Sequence, residues 1–415
     1  MATIKEALRD SNPWWERPFK LQFKERELYK RLQKFLHLPQ IIALTGIRRV
    51  GKTTIMLKIV EDYINSGFEP KSIIYFSFDE FREVEIRKVM AEYEEMMERD
   101  LREGKYLLLL DEVQKLSNWE DQIKRIYDTF KNIKIIISGS ESLFIRKRSK
   151  ENLAGRIFEF RLEQLSFREF LSFKDLSLSP ADLYEKKLIS EFNEFILTQG
   201  FPELVGIRDK EIIKKYVKES IMEKVIFRDI QNLFKIKDVT KLESLINILM
   251  EEPGQIIEIS GLSKEIGLSR QALSNYLFYL EEAFLIRKLY NFSMSRRKVE
   301  RKLKKYYPAI VSVDLLFRGD EFSRSRVFEW CIVNQMKAEF FWRDAYKNEV
   351  DVVVFNKKPQ PIEIKFGKID LDGMLAFMKK FKISEGTVIS YRTEEKRKIN
   401  KKTISIIPAF KFLLK

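Results

Sequence analysis

The sequence has very little cysteine and histidine, and it lacks any long hydrophobic run. Cys331 is the only cysteine and His37 the only histidine, which excludes an internal disulfide and a Cys/His zinc cluster. No stretch of about 18 apolar residues could span a bilayer. The N-terminal segment is polar and aromatic, unlike a secretory signal, so we expect a cytoplasmic protein without a membrane partner. Metal chemistry would have to use oxygen ligands.

The charge of the sequence favours a polyanionic partner. The 415 residues are 45% hydrophobic and 33% charged, which suits two or three globular domains, and the net charge is +15. Residues 286–305 alone carry nine Lys and Arg residues against one acid, Glu300, with Tyr290 and Phe292 among them. This segment is either a solvated linker or a nucleic-acid-binding ribbon.

A phosphate-binding loop is predicted between an apolar strand and a helix in residues 40–65. It has the pattern Gly46-x-x-x-x-Gly51-Lys52-Thr53, in which backbone N–H groups and the helix N-terminus converge on phosphates. We expect Lys52 to reach the β- and γ-phosphates and Thr53 to bind Mg²⁺. The predicted nucleotide-binding residues are Gly46, Ile47, Arg48, Arg49, Val50, Gly51, Lys52, Thr53 and Thr54.

Acidic and hydroxyl side chains follow two further predicted strands. In KYLLLLDEVQ, Asp111 is predicted to join the Mg²⁺ shell, and Glu112 to orient and deprotonate the attacking water. In NIKIIISGSES, Ser138 and Ser140 are suited to sensing the γ-phosphate or the water. The adjacent acid separates hydrolases from proteins that only bind a nucleotide, so the pattern predicts an ATPase that uses ATP and Mg²⁺.

Five motifs follow one another in the first half of the chain: GIRRVGKTT, LLLLDEVQ, ISGSES, LAGR and QLSFREFL. Together they resemble the AAA-type ATPases of archaea and bacteria that carry a C-terminal restriction-endonuclease-like domain. The resemblance implies an additional-strand P-loop core, in which one strand lies between the phosphate-loop strand and the Asp111 strand. It also implies that Arg156 is an arginine finger or γ-phosphate sensor, in cis or in trans. Arg48 and Arg49 are alternative cations near the site.

The middle of the chain is predicted to be helical and then DNA-binding. Residues 161–236 show amphipathic periodicity and are interpreted as a helical lid. Residues 237–292 have the order of a winged helix-turn-helix: helix, short helix, turn with Gly267, helix, strand. Its recognition helix would expose Arg270, Gln271, Ser274 and Asn275. Such modules bind DNA or act as protein–protein joints.

The C-terminal region contains a hairpin with three charged residues on one half-buried face. Strand alternation places Glu363 and Lys365 on the same side, with Asp351 opposite Lys365 or nearby and diagonal to Glu363. Glu329 is available from the preceding helix. This set matches the PD-(D/E)xK arrangement, in which Asp351 and Glu363 would bind Mg²⁺ and Lys365 would steady the water or the phosphoryl charge. A structural ion pair on the same fold remains the alternative.

The predicted fold is α/β: a P-loop core with a parallel sheet (1–160), a helical lid (161–236), a winged helix-turn-helix (237–292) and a restriction-endonuclease-like α/β domain (293–415). The predicted function is an ATPase acting on DNA, with a nuclease-like domain that ATP binding repositions or licenses. The alternative is an ATP-dependent signalling or assembly switch with a protein partner and a catalytically silent nuclease-like scaffold. A homo-oligomer is compatible with both.

Overall fold

The structure is a computed structural model that describes residues 3–139, 153–224, 230, 236 and 238–415. The chain divides into two compact units, Met1–Glu163 and Gln164–Lys415. The predicted boundary at residues 160/161 lies close to this division, whereas those at 236/237 and 292/293 lie inside the second unit. Among the described residues, no helix combines the length and the hydropathy that a membrane crossing requires.

The first unit contains five strands and five α-helices among its described residues. The strands are β1 (Ile41–Thr45), β2 (Ile73–Ser77), β3 (Tyr106–Asp111), β4 (Ile133–Ser138) and β5 (Ile157–Arg161). The α-helices are α1 (Ile4–Ser11), α2 (Glu27–Gln33), α3 (Lys52–Asn65), α4 (Ile86–Met97) and α5 (Trp119–Thr129). Short 3₁₀ turns occur at Pro13–Trp15, Pro70–Ser72 and Val113–Lys115.

The five strands form one parallel sheet with the order β2-β3-β4-β1-β5. β4 lies between the phosphate-loop strand β1 and the Asp111 strand β3, which confirms the predicted core topology. β1 and β3 are buried along their whole length, as expected for strands of a parallel sheet with both faces covered. Parallel strands bring their carboxyl ends to one edge, so the loops after β1, β3 and β4 meet there.

The N-terminal segment covers the edge strand β2 with side-chain hydrogen bonds. Asn12 is buried and donates to Tyr75 O (2.8 Å), while Tyr75 N–H donates to Asn12 Oδ1 (2.7 Å). The indole N–H groups of Trp14 and Trp15 both donate to Ile73 O, at 3.2 and 2.8 Å. These bonds satisfy backbone groups that an edge strand would otherwise expose for pairing.

The second unit contains ten strands and eleven α-helices among its described residues. Its strands are β6 (Gln255–Ile257), β7 (Ile286–Asn291), β8 (Lys304–Pro308), β9 (Phe340–Arg343), β10 (Glu349–Val350), β11 (Val352–Asn356), β12 (Lys358–Lys365), β13 (Glu385–Ser390), β14 (Glu395–Ile399) and β15 (Lys402–Pro408).

The α-helices of the second unit are α6 (Phe167–Phe173), α7 (Glu185–Thr198), α8 (Lys210–Lys215), α9 (Val239–Glu251), α10 (Ile259–Ile266), α11 (Arg270–Glu282), α12 (Arg296–Arg301), α13 (Val313–Leu316), α14 (Glu321–Gln335), α15 (Asp372–Phe381) and α16 (Ala409–Phe412). A π-helical stretch spans Tyr216–Met222, and 3₁₀ turns lie at Ala181–Tyr184 and Pro202–Leu204. The end of the predicted helical run, at residues 225–229, 231–235 and 237, lies outside the described residues.

Two five-stranded sheets organise the second unit. One has the order β10-β9-β7-β8-β6, in which β8 pairs antiparallel with both β7 and β6. The other has the order β11-β12-β13-β15-β14, in which β12 pairs antiparallel with β11 and parallel with β13. The chain passes from the first sheet to the second at Asp351, between β10 and β11.

One apolar core joins the helices that follow the first unit to the C-terminal region. Residues of α6 and α7 share this core with α14, β12 and β13. The ring centroids of Phe192 on α7 and Phe328 on α14 are 6.2 Å apart, in an edge-to-face arrangement. The helices predicted as a lid therefore belong to the packed core of the second unit, and a lid function stays a prediction.

Candidate functional site

The loop between β1 and α3 is shaped by two glycines that a larger residue could not replace. A Cβ on Gly46 would stand 2.1 Å from Leu162 O, and Gly51 has φ +98°, in the left-handed region. Gly51 directly precedes α3, so the free N–H groups of the first helical turn face the loop. The sequence-predicted phosphate loop is therefore a backbone cradle at a helix N-terminus, the usual form of a phosphate site.

Lys52 lies buried within this loop, and its amine contacts neutral groups. Its Nζ donates to Gly46 O (2.8 Å) and Ile47 O (3.2 Å), and 6% of the residue is exposed. Backbone carbonyls are partial dipoles, so they balance the ammonium charge less than an anion in direct contact would. An anionic ligand in the loop would be a stronger partner for this amine than the two carbonyls are.

Asp111 is the centre of a hydrogen-bond network at the carboxyl edge of the sheet. Thr53 Oγ1 donates to its Oδ2 (2.7 Å), as does the Tyr75 hydroxyl (2.9 Å). Ser138 donates its hydroxyl to Asp111 Oδ1, which also accepts the Glu112 N–H (3.0 Å). The structure thus brings together Thr53, Asp111 and Ser138, which the sequence placed on three different segments.

Glu112 adopts a left-handed backbone conformation, with φ +56°, immediately after β3. The Gln114 side-chain amide donates to Glu112 Oε2 at 2.6 Å and fixes the carboxylate. Burial raises the pKa of Glu112, Asp111 raises it further, and Lys52 and Arg48 oppose the shift. A carboxyl group with a raised pKa is a better proton acceptor once it is ionised, which suits the predicted general base.

The residues around Asp111 fit a magnesium ion with few protein ligands. Across residues 3–139, 153–224 and 238–415, no three His, Cys, Asp or Glu side chains form a group that could hold a metal. Mg²⁺ in nucleotide sites needs only one or two protein oxygens, because waters and phosphates complete its shell. The bonded pair Thr53 and Asp111 supplies that number, and the partners of the Asp111 carboxylate carry no formal charge.

Arg156 lies far from the phosphate loop of its own chain. Ile41 N–H donates to Arg156 O at 2.8 Å, which places Arg156 at the amino end of β5, whereas the loop follows the carboxyl end of β1. The length of β1 separates the two by about 13 Å. Arg156 Nε instead pairs with Asp128 Oδ1 at 3.2 Å. The geometry therefore disfavours a role in cis, and a role in trans stays a prediction.

Two residues that sequence reasoning missed support the nucleotide loop. Arg26 is buried; its Nη1 donates to Val50 O and its Nη2 to Glu163 O, both at 2.7 Å, so it ties the loop to the segment after β5. The other is Tyr75, whose hydroxyl contacts Asp111 and whose pKa is raised by burial and then by that carboxylate. A tyrosine in the middle of an apolar strand was a signal for the second, whereas no sequence pattern indicated Arg26. The predicted sensor Ser140 lies outside the described residues.

The C-terminal charged residues meet as the sequence predicted, but in a shifted register. Lys365 Nζ lies 2.9 Å from Glu363 Oε2 and 3.7 Å from Asp351 Oδ2. The hairpin pairs Asn356 with Lys358 and Val352 with Ile362, so Asp351 lies level with Glu363 and not with Lys365. The expected position was wrong because the turn is centred on Lys357 alone, which takes φ +64°.

A lysine from a neighbouring strand joins this group. Lys305 on β8 donates to Glu329 Oε1 (2.8 Å) and to Glu349 Oε1 (2.9 Å), and its side chain is 6% exposed. The Tyr307 hydroxyl also donates to Glu329 Oε1, at 2.5 Å. We name the four carboxylates Asp351, Glu363, Glu329 and Glu349 the acidic cluster. The sequence predicted Glu329 in this position, but gave no sign of Lys305 or Glu349.

The buried groups of the acidic cluster influence one another's protonation. Burial and then Asp351 raise the pKa of Glu363 well above its usual range. Burial opposes the ionisation of Asp351, but Lys365 and Lys305 outweigh it and lower its pKa. Burial likewise opposes the charge on Lys305, yet its carboxylate neighbours, Glu329 first, hold its pKa well above the ordinary value. Both lysines thus act as counter-ions to the cluster.

The predicted recognition helix and basic segment differ in what they expose. Arg270, Gln271 and Ser274 on α11 are exposed, and Ser269 caps this helix by accepting the Ala272 N–H at 3.1 Å. The exposed basic residues of the segment 286–305 lie on α12: Arg296, Arg297, Lys298 and Arg301. Others are engaged inside the unit; Lys288 pairs with Glu281, and Lys302 donates to Asn291 Oδ1 at 3.2 Å.

Two parts of the chain match known domain families. Residues 38–171 match the family described as an AAA domain, which supports ATP binding and hydrolysis by the first unit. Residues 189–309 match a family described as a domain of unknown function (DUF8612). The first match spans the phosphate loop, Asp111, Glu112 and Ser138, and the second ends at the carboxyl end of β8.

Curated relatives of similar length exist in archaea and bacteria. An uncharacterised protein of Methanocaldococcus jannaschii is 27% identical over 344 residues, which cover 78% of this chain and 74% of that protein. A second from the same organism is 24% identical, with 84% and 80% covered. An uncharacterised protein of Haemophilus influenzae is 27% identical, with 68% and 70% covered.

Among solved structures, the chain has a distant likeness to Cdc6p of Pyrobaculum aerophilum, with a TM-score of 0.32, 15% identity, and 75% of this chain and 95% of that chain covered. For the Hsp104–ADP complex of S. cerevisiae the TM-score is 0.34 and the identity 13%, with 81% and 47% covered. At these TM-scores neither likeness supports an inference about this chain.

Proposed function

We propose that this protein is an Mg²⁺-dependent ATPase that binds DNA through a winged helix-turn-helix and carries a nuclease-like domain. The observation that carries the ATPase is the bond between Thr53 and Asp111, at 2.7 Å, beside the glycine loop and Glu112. The AAA domain match over residues 38–171 supports it independently.

The residues of the nucleotide site have separate tasks in this proposal. Lys52 and the N–H groups at the start of α3 bind the phosphates, and Lys52 exchanges its carbonyl partners for phosphate oxygens. Thr53 and Asp111 would hold Mg²⁺, which would supply charge neutralisation on the phosphates. Glu112 orients the attacking water and takes its proton, while Ser138 holds the Asp111 carboxylate in place.

The order of elements between α9 and β8 supports a winged helix-turn-helix. The chain runs α9, β6, α10, α11, β7, β8, and β8 pairs between β7 and β6, so α12 occupies the connection that would form the wing. We therefore propose that the module ends near residue 308, later than the sequence prediction of 292, and the end of the second family match at residue 309 supports this. β8 lies in the range 293–415, which was predicted to belong to the restriction-endonuclease-like domain.

Exposed cations on the proposed wing support a polyanionic ligand. Arg296, Arg297, Lys298 and Arg301 are exposed on α12, and the exposed end of α11 adds Arg270. Burial lowers the pKa of Lys302 beside α12, and Lys380 and Lys298 lower it further, which reports a local excess of positive charge. The negative charge of phosphate groups would relieve this repulsion. The counter-ions that the nucleic acid releases on binding would add to the affinity.

The element order around the acidic cluster supports a nuclease-like domain. Helix α14 carries Glu329, β10 and β11 flank Asp351, and β12 carries Glu363 and Lys365 ahead of α15 and the parallel strand β13. In this proposal Asp351 and Glu363 would hold Mg²⁺, and Lys365 would steady the attacking water or the phosphoryl charge. Phosphodiester cleavage is the activity that such a set would support.

A second candidate is an ATP-dependent assembly switch with a protein partner and a silent nuclease-like scaffold. It is favoured by the ion pairs of Lys305 and Lys365 with the acidic cluster, because they balance the carboxylates without a metal. The two candidates differ in their response to DNA. An ATPase that acts on DNA is stimulated by it, whereas a protein-directed switch turns over ATP at the same rate with or without DNA.

The experiment is Mg²⁺-dependent ATP turnover by the full chain, with and without duplex DNA, over a range of salt concentrations. We expect stimulation by DNA that declines steeply as salt rises. A variant with Arg296, Arg297, Lys298 and Arg301 changed to Gln should lose most of the stimulation and keep the basal rate. Turnover that DNA does not alter would contradict the DNA-binding proposal and favour the switch.

A matched control removes positive charge from another exposed part of the same unit. Lys396 and Lys398 lie exposed on β14, outside the proposed winged helix-turn-helix. Changing both to Gln, together with exposed Lys401 and Lys415, lowers the net charge by the same amount as the α12 variant. We expect this control to keep the DNA stimulation, which would tie the effect to α12 and not to total charge.

A further inference from the structure

Lys305 enters the acidic cluster from outside the hairpin that carries Asp351 and Glu363. It lies on β8, which belongs to the sheet β10-β9-β7-β8-β6, whereas Glu363 lies on β12 in the other sheet. The side chain is 6% exposed, so the ammonium has been removed from water and depends on its carboxylate partners.

The amine of Lys305 stands where two carboxylates converge. Its Nζ lies 2.8 Å from Glu329 Oε1 and 2.9 Å from Glu349 Oε1. Lys365 holds the other half of the cluster, at 2.9 Å from Glu363 and 3.7 Å from Asp351. Each carboxylate of the acidic cluster thus contacts at least one lysine amine.

The ion pairs of the cluster show what Lys305 contributes. Lys305 pairs with both Glu329 and Glu349, and Glu349 also lies 3.5 Å from Arg343. Without Lys305, Glu329 would lose its ammonium partner and Glu349 would keep only the more distant Arg343. These two half-buried carboxylates would then need another cation, and one divalent cation carries the charge that neutralises both.

We propose that the Lys305 ammonium is the resident cation of the acidic cluster, and that by occupying Glu329 and Glu349 it keeps a divalent cation out of the nuclease-like domain. This inference rests on the proposed nuclease-like arrangement and adds its regulation. Divalent-cation binding at the cluster requires the departure of Lys305, which means that β8 or its side chain must move. Lys305 is thus a blocking residue, whereas Lys365 belongs to the proposed reaction centre.

The test is a Mn²⁺ titration of the full chain, in which the electron paramagnetic resonance signal of free Mn²⁺ reports binding. All proteins carry Asp111→Asn, so that the nucleotide site does not contribute. The background protein should show no site that depends on Glu363. Adding Lys305→Met should create one Mn²⁺ site per chain, and this site should bind Mn²⁺ at least roughly tenfold more tightly than any residual binding by the background protein.

Two further variants localise the gained site. Glu363→Gln in the Lys305→Met protein should remove it, because that carboxylate is one of the proposed ligands. Lys304→Met is the matched control: it removes a lysine from the same strand, but the Lys304 amine donates to Glu300 O and not to the cluster. This control should gain no site.

Two outcomes would overturn the inference. One is a Glu363-dependent Mn²⁺ site in the protein that retains Lys305; the other is a folded Lys305→Met protein that gains no site. If circular dichroism shows that Lys305→Met does not fold, Lys305→Met/Glu349→Gln removes one charge of each sign and is titrated in its place, with the same two outcomes. Plasmid cleavage is measured in parallel: a gained Mn²⁺ site without cleavage would contradict the nuclease activity and support the role of Lys305.

Discussion

The nucleotide site and the acidic cluster use the same side chains in opposite ways. In the first unit the Lys52 amine contacts two backbone carbonyls, and the Asp111 carboxylate accepts hydroxyl groups of Thr53, Tyr75 and Ser138. In the second unit the lysine amines contact carboxylates directly. In the nucleotide site the lysine and the aspartate each contact neutral groups, whereas in the acidic cluster the lysines and the carboxylates contact one another.

This difference distinguishes a site whose charges are available to ligands from one whose charges are already paired with each other. Charges held by neutral dipoles retain most of their attraction for an incoming phosphate or metal ion. Charges paired with each other have already gained that energy, so a ligand must compete with the existing pair. We therefore expect mainly functional losses from substitutions in the first site and a larger stability loss from breaking an ion pair in the second.

The largest expected effect is on catalysis at Glu112. Glu112→Gln keeps the shape and the Gln114 contact but cannot accept the proton, so we expect ATP turnover to fall by about 10²- to 10⁴-fold while ATP binding persists. Single-turnover hydrolysis and equilibrium binding of ATP measure the two quantities. Loss of binding in this variant would assign Glu112 a structural role and remove the contrast with the acidic cluster.

The next effect is the difference in unfolding free energy between two Asp→Asn substitutions, one at Asp351 and one at Asp111. Asp351→Asn removes the charge that Lys365 and Lys305 face and weakens the acceptor of the Ile364 N–H, so the second unit should lose about 2 kcal/mol. Asp111→Asn should cost the first unit about 1 kcal/mol or less, because the donors to Asp111 are neutral. Calorimetric unfolding measures both. Equal losses would show that the two sites do not differ in charge pairing.

Arg26 should produce a smaller effect on nucleotide affinity. Arg26→Met removes the two hydrogen bonds that fix the phosphate loop, so ATP binding should weaken by roughly tenfold. The matched control is Arg31→Met, which removes an exposed arginine from the nearby helix α2. Isothermal titration with ATP measures both variants, and an unchanged affinity for Arg26→Met would show that the loop does not depend on this contact.

The smallest effect is the pH dependence of Glu363. The pKa of Glu363 in the folded chain is raised above the ordinary value of 4.5. As the pH increases, the unfolded chain therefore loses this proton first. The folded state loses stability over this range, until the pH passes the pKa of the folded chain. Glu363→Gln stays neutral, so the Tm of this variant should rise relative to that of wild type between about pH 5 and about pH 8. A difference in Tm that does not change with pH would contradict the buried, protonated carboxyl.

Local patterns made much of the first unit predictable. The Gly46 to Thr53 spacing and the acids after β3 are confined to short segments whose geometry the parallel sheet fixes, so the contact between Thr53 and Asp111 could be expected from the sequence. The Asp351 register failed because it depended on one turn residue, Lys357. Arg26 and Lys305 could not be predicted, since each acts across a long sequence separation that no local pattern records.

The most direct test of the account is ATP turnover by Lys52→Ala against Lys58→Ala. Lys58 lies on the same helix α3, but it pairs with Glu61 and Asp62, at 2.6 and 2.8 Å, and does not belong to the phosphate loop. The account predicts that Lys52→Ala lowers Mg²⁺-dependent turnover by about 10²-fold or more without a loss of folding, and that Lys58→Ala retains it. Normal turnover by Lys52→Ala would contradict the assignment of this unit as an ATPase.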